Sequence, residues 1–134
     1  MSASRTLLLL ITLIAAIAPY AAENAKDTLR PKVIPLQSSG KNVSPVLAGP
    51  PESVTMKSGL VVLAPGKSVG KHSTERNEEL LIVFEGHGEM SFKDGAKLPV
   101  KADTAVYCPP ETEHNVTNTG TTILRYVYVV AKAE

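Results

Sequence analysis

The sequence predicts an all-β domain of short antiparallel strands, packed as a sandwich or closed as a barrel. Three observations carry this. Turn signals built on Gly, Pro and Asp-Gly recur roughly every eight to twelve residues from Ser53 onward. No long stretch repeats at the helical period of about 3.6 residues. Ten prolines and nine glycines punctuate segments rich in Val, Thr and Ile, residues that fit a pleated, half-buried surface.

The N-terminus differs from the rest. Met1 to Arg5 is singly basic, and Thr6 to Ala18 is an uncharged apolar block of the length of a signal-peptide core. Even extended to Ala22 it falls short of the roughly 20 residues a membrane-spanning helix needs. Residues 1–22 therefore read as a secretory signal, set against an uncleaved N-terminal anchor. Ala16-Ile17-Ala18 fits the small-x-small rule, but Pro19 follows it, which moves the expected cut to Ala22. The expectation is an exported protein, periplasmic or secreted, with no membrane attachment once the signal is removed.

What remains is one domain with a single core. From Glu23 onward 13 basic residues balance 13 acidic ones. No basic field exists to attract nucleic acid or an anionic membrane. The single cysteine, Cys108, excludes an internal disulfide and packs as a small hydrophobe.

Residues 23–52 form an extension: a loose Glu23 to Arg30, a short edge strand over Pro31 to Leu36, and a wrapping loop from Gln37 to Pro51. Residues 53–134 carry the barrel. Ser53 to Met56 and Gly59 to Ala64 are the first pair, and Glu79 to Phe84 is the next strand. A tight hairpin at Gly86-His87-Gly88 leads into Glu89 to Phe92, and Asp94-Gly95 makes another. Leu98 to Val100, Thr104 to Cys108, His114 to Asn118 and Thr121 to Val130 complete the set.

Three histidines stand in different contexts. His87, between two glycines, reads as a solvated turn residue. His72 shortly precedes a strand that begins with two carboxylates, Glu78 and Glu79. Alternation puts Glu79 on one face with Leu81 and Val83 and turns Glu78 the other way. His114, Val116 and Asn118 share a face, as do Val106 and Cys108. Tyr107, Tyr126 and Tyr128 read as strand-packing residues.

Two spacings carry a family resemblance. Gly66, five residues, His72-Ser73-Thr74, four residues, Glu79, six residues, Gly86 is similar to the first motif of the cupins, with Thr74 where their second motif histidine stands. Asp103, five residues, Pro109-Pro110-Glu111, two residues, His114, three residues, Asn118 resembles their second motif, with Asp103 and Glu111 in place of its two glycines. The resemblance covers about Gly59 to Val130. It implies a double-stranded β-helix or jelly-roll barrel, commonly a homodimer. It also implies a divalent metal, iron, manganese, zinc or nickel, held by His72, Glu79 and His114. Two histidines and a carboxylate form a recognised facial set that leaves positions open. Thr74, Glu78, Cys108 and Asn118 are candidate lining residues, with Glu78 the alternative ligand. Glu111, Glu113 and Glu78 either acidify the barrel mouth or are solvated surface. Two functions follow from this pattern: a metal-dependent enzyme acting on a small polar molecule, or a non-enzymatic module that binds or senses a sugar-like small ligand.

Overall fold

The computed structural model describes residues 29–133. The apolar leader, with its expected signal and cleavage point, lies outside the described residues. Among the described residues nine strands run in chain order: β1 Val43–Leu47, β2 Lys57–Leu63, β3 His72–Ser73, β4 Asn77–Glu85, β5 His87–Phe92, β6 Lys97–Lys101, β7 Thr104–Cys108, β8 Glu113–Thr117 and β9 Leu124–Lys132. They make two sheets, a five-stranded one in the order β1-β2-β9-β4-β7 and a four-stranded one in the order β3-β8-β5-β6. Every pairing is antiparallel.

The core sits between the sheets. On β4, Glu79, Leu81 and Val83 are buried while Leu80, Ile82 and Phe84 are exposed, a period of two that sends alternate side chains to opposite faces. Leu63, Leu124 and Tyr126 join them from the large sheet, and Met90, Val100 and Val116 meet them from the small one. Each such side chain contributes about 1.5–3 kcal/mol by leaving water.

The sequence expectations need four corrections. Pro31 to Leu36 forms no strand; the edge strand is Val43–Leu47, inside the stretch read as a loop. The Ser, Gly and Pro content around it hid the signal, and its ladder slips between Pro45 and Leu47, where proline offers no N–H. Ser53 to Thr55 is bend and Met56 is irregular, so the first partner of β2 is β1. The two-residue strand β3 was not foreseen, being too short to show alternation.

The fourth correction concerns Gly86-His87-Gly88, which is not a hairpin. β4 and β5 lie in different sheets, and the chain crosses between them at Gly86. That residue has φ +77, and a Cβ there would come 2.1 Å from the Ile123 carbonyl oxygen, so only glycine can turn this corner. His87 is exposed, its ring lying against Gly120. The Asp94-Gly95 turn does join paired strands, β5 and β6, with Asp94 Oδ1 accepting from the Ala96 N–H at 2.9 Å.

Candidate metal centre

The register of two short strands creates the centre. β3 and β8 pair with His72 opposite His114, so both imidazoles emerge from the small sheet on one face, with ring centroids 4.3 Å apart. Glu79 faces them from β4 in the large sheet. His114 Nε2 lies 3.2 Å and His72 Nε2 3.9 Å from Glu79 Oε2. One ligand atom from each of the three residues falls within 4.8 Å of the others. Donors about 2.0–2.2 Å from a common ion stand roughly 3.0–3.4 Å apart, so small adjustments would close this set around a cation.

Backbone carbonyls fix which nitrogens face inward. The His114 Nδ1–H donates to the Thr112 carbonyl at 3.1 Å, and the His72 Nδ1–H donates to the Gly70 carbonyl at 2.9 Å. In the neutral rings both Nε2 atoms then carry lone pairs, directed at a carboxylate. Such second-partner bonds orient metal-ligating histidines. His114 Nε2 is buried and, despite its nearness to Glu79, is not aligned for a hydrogen bond with any partner. Without a proton or a metal ion between them, lone pair and carboxylate repel.

The electrostatics describe the same groups when protons, rather than a metal ion, lie between them. Burial alone would raise the Glu79 carboxyl, but the two imidazoles outweigh it and hold the group down at about 2. Contact with Glu79 raises His72, against the opposing effect of burial. Burial, helped by the Glu79 charge, pushes the Cys108 thiol up to about 11.

Each further candidate has a definite place. Cys108 is buried opposite Glu79 in the β4–β7 ladder, with its Sγ 3.3 Å from His114 Nδ1, the ring nitrogen that is not the one nearest the carboxylate. Glu78 lies on the outer face, accepting a hydrogen bond from the Tyr107 hydroxyl at 3.0 Å. Thr74 is buried at the cleft wall, but its hydroxyl is engaged elsewhere: it donates to the Pro109 carbonyl at 2.8 Å and accepts from the Thr112 N–H at 3.0 Å. It thereby clamps the loop whose Thr112 carbonyl orients His114. Asn118 is fully buried beyond the far end of β8, bonded to the Leu63 and Thr122 carbonyls and the Gly120 N–H.

A cleft of about 370 Å³ opens beside His72 and Glu79. Lys57 and Lys71 line it together with Tyr126 and Tyr128 of β9. Of the two readings of Glu111, Glu113 and Glu78, solvated surface is the one the fold supports; the carboxylates that line the cleft are Glu75 and Glu79. Glu111 and Glu113 line a separate surface depression beside Lys93 and Asp94, and Glu78 faces outward. Reading the tyrosines as packing residues missed their second role. The signal available was their alternation on β9, which aims both inward with Leu124.

Residues 59–130 match the cupin domain family. Among curated proteins, an oxalate-binding protein of Thermotoga maritima is 32% identical over 68 residues, 51% of this chain and 55% of that protein, so the match spans about half the relative's length. Among solved structures, a cupin 2 barrel domain protein from Salinispora arenicola CNS-205 is similar with a TM-score of 0.60 at 27% identity, covering 78% of this chain and 88% of that one. An RmlC-like cupin with a double-stranded β-helix fold from Methanocaldococcus jannaschii gives a TM-score of 0.63 at 20% identity, over 77% and 92% of the two chains.

Proposed function

The chain belongs to the cupin domain family, and on that premise we propose that it holds a divalent metal ion through His72, Glu79 and His114 and binds a small polar molecule at the open side of that ion. One observation carries the reading. A buried imidazole nitrogen with no hydrogen-bond partner is aimed at a buried carboxylate beside a second imidazole anchored in the same tautomer. A divalent cation satisfies all three groups at once, and the nitrogen and carboxylate donors suit iron, manganese, zinc or nickel.

The cleft supplies the space for a ligand, and the Thermotoga relative, named for oxalate binding, supports a small molecule over a macromolecule. Metal analysis of protein taken from its native compartment tests the metal centre. Stoichiometric metal, lost in His114→Ala while the fold is kept, is expected; protein that carries none and takes up none on incubation overturns the reading.

A second reading, an enzyme at the same centre, draws on the open face of a three-residue ligand set. Turnover of any ligand found, lost with the metal, would decide for it. We propose further that the protein is exported, on the strength of its apolar leader, with N-terminal sequencing of the mature chain as the test. We propose also that it forms a homodimer, since Leu80, Ile82, Phe84 and Tyr107 leave an apolar row exposed on the outer face of the large sheet. A monomeric mass in solution would reject that.

A further inference from the structure

Tyr126 is the most buried polar side chain of the cleft not already assigned a role. It is 2% exposed, yet it lines the cleft, and its hydroxyl makes no hydrogen bond among the described residues. The ring is buried while the hydroxyl sits at the cavity wall without a partner, so it is a donor open to a molecule that enters the cleft. Its neighbour Tyr128 is held aside by a built feature of the fold. Gly59, paired with it across β2 and β9, leaves the space its ring occupies, and a Cβ there would lie 2.6 Å from that ring.

The surroundings define what Tyr126 would meet. Burial, helped by the nearby Glu79 charge, disfavours a phenolate and leaves the group as a donor. Lys57 and Lys71 bring positive charge to the same cleft, which Glu75 offsets only in part, while Val61 and Val130 give it an apolar wall. A donor and two cations beside a cation site with open positions call for an anion that is rich in oxygen and small.

We propose that the Tyr126 hydroxyl donates a hydrogen bond to a small carboxylate bound in this cleft, making it a ligand-binding residue that selects carboxylates over neutral sugars. This rests on the reading of His72, Glu79 and His114 as a metal centre. One oxygen of the carboxylate would take an open position on the metal and another would accept from Tyr126.

The test uses the mature full-length protein, titrated in turn with Mn2+, Zn2+ and Ni2+, and then the loaded form with oxalate and with glucose. The expected result is oxalate binding without glucose binding. Tyr126→Phe should weaken oxalate about tenfold and leave metal affinity within about twofold. A spectroscopic readout separates contact from mere packing. Beyond the expected signal the chain has three tyrosines, Tyr107, Tyr126 and Tyr128, and no tryptophan, so oxalate should perturb the tyrosine absorption of wild type and of Tyr107→Phe, and Tyr126→Phe should lose most of that change. Wild type that takes up no metal overturns the metal centre and this proposal together. Metal uptake with no oxalate binding, or with oxalate bound equally by Tyr126→Phe, overturns this proposal alone.

Discussion

His114 and Asn118 flank the same strand, β8, on the same face, and are 2% and 0% exposed. Their chemistry is opposite. Asn118 spends its amide on three backbone partners, tying the 118–122 loop to the end of β2. His114 spends only Nδ1 on the backbone and leaves Nε2 bare toward Glu79. Equal burial therefore does not mean equal role: the saturated Asn118 is a brace, and the bare His114 nitrogen beside a carboxylate is a candidate ligand atom.

Substitutions can break or sharpen this contrast. Asn118→Ala should cost the most stability, about 3 kcal/mol, because it leaves the buried Leu63 carbonyl without this partner and unties the part-buried Thr122 carbonyl and Gly120 N–H. In thermal unfolding that is a drop of roughly 15 °C. Metal affinity of the folded fraction should stay within about twofold. His114→Ala should do the reverse, with metal affinity falling about 100-fold or more by calorimetry and a smaller loss of stability than Asn118→Ala. If both variants lose stability and neither changes metal binding, the contrast fails.

Thr74 sits between the two cases, buried at the cleft but saturated by the Pro109 carbonyl and the Thr112 N–H. Thr74→Val should cost about 1–2 kcal/mol in chemical denaturation. Metal affinity should fall only modestly, through the loosened Thr112 carbonyl that orients His114. Thr74→His, which would restore the family's usual ligand, should destabilise the loop. Tighter metal binding by that variant would show that position 74 does reach the ion.

The pH dependence of the metal-free protein follows from two shifts of opposite sign. Glu79, held at about 2 against an ordinary 4.5, contributes stability that is present above pH 4.5 and lost as pH falls toward 2. His72, raised above 6.5, contributes stability present below that value and lost as pH rises through its folded value, by an amount reduced by its exposure. Metal reverses the second effect, because the imidazole must shed its proton to ligate, so metal affinity should rise with pH through the His72 titration. Denaturation curves of the two forms across pH check both signs.

The smallest effect expected lies at the two positions where glycine gave way. Asp103 and Glu111 keep positive φ values of 63 and 54, the left-handed backbone that the family's glycines would adopt freely. Glu111→Gly should stabilise by about 0.5–1 kcal/mol, read as a small rise in the unfolding midpoint.

Much of this was legible in the chain. Alternation grouped Glu79 with Leu81 and Val83, Cys108 with Val106, and His114 with Asn118 on common faces, because a strand's period of two depends on nothing beyond the strand itself, and the fold turns those faces inward. It could not separate Asn118 from His114, which look alike in pattern and differ only in what each meets.

The sequence alone determined the all-β class, the two spaced motifs and the three residues that could hold a metal. Folding decided the rest. The pairing of His72 with His114 depends on a two-residue strand, and Thr74's role depends on a loop 35 residues away. The crossing at Gly86 depends on the Ile123 carbonyl, and the open hydroxyl of Tyr126 on the gap between two sheets. All four are long-range juxtapositions, and a local pattern carries no information about which distant groups will satisfy a polar atom or leave it bare.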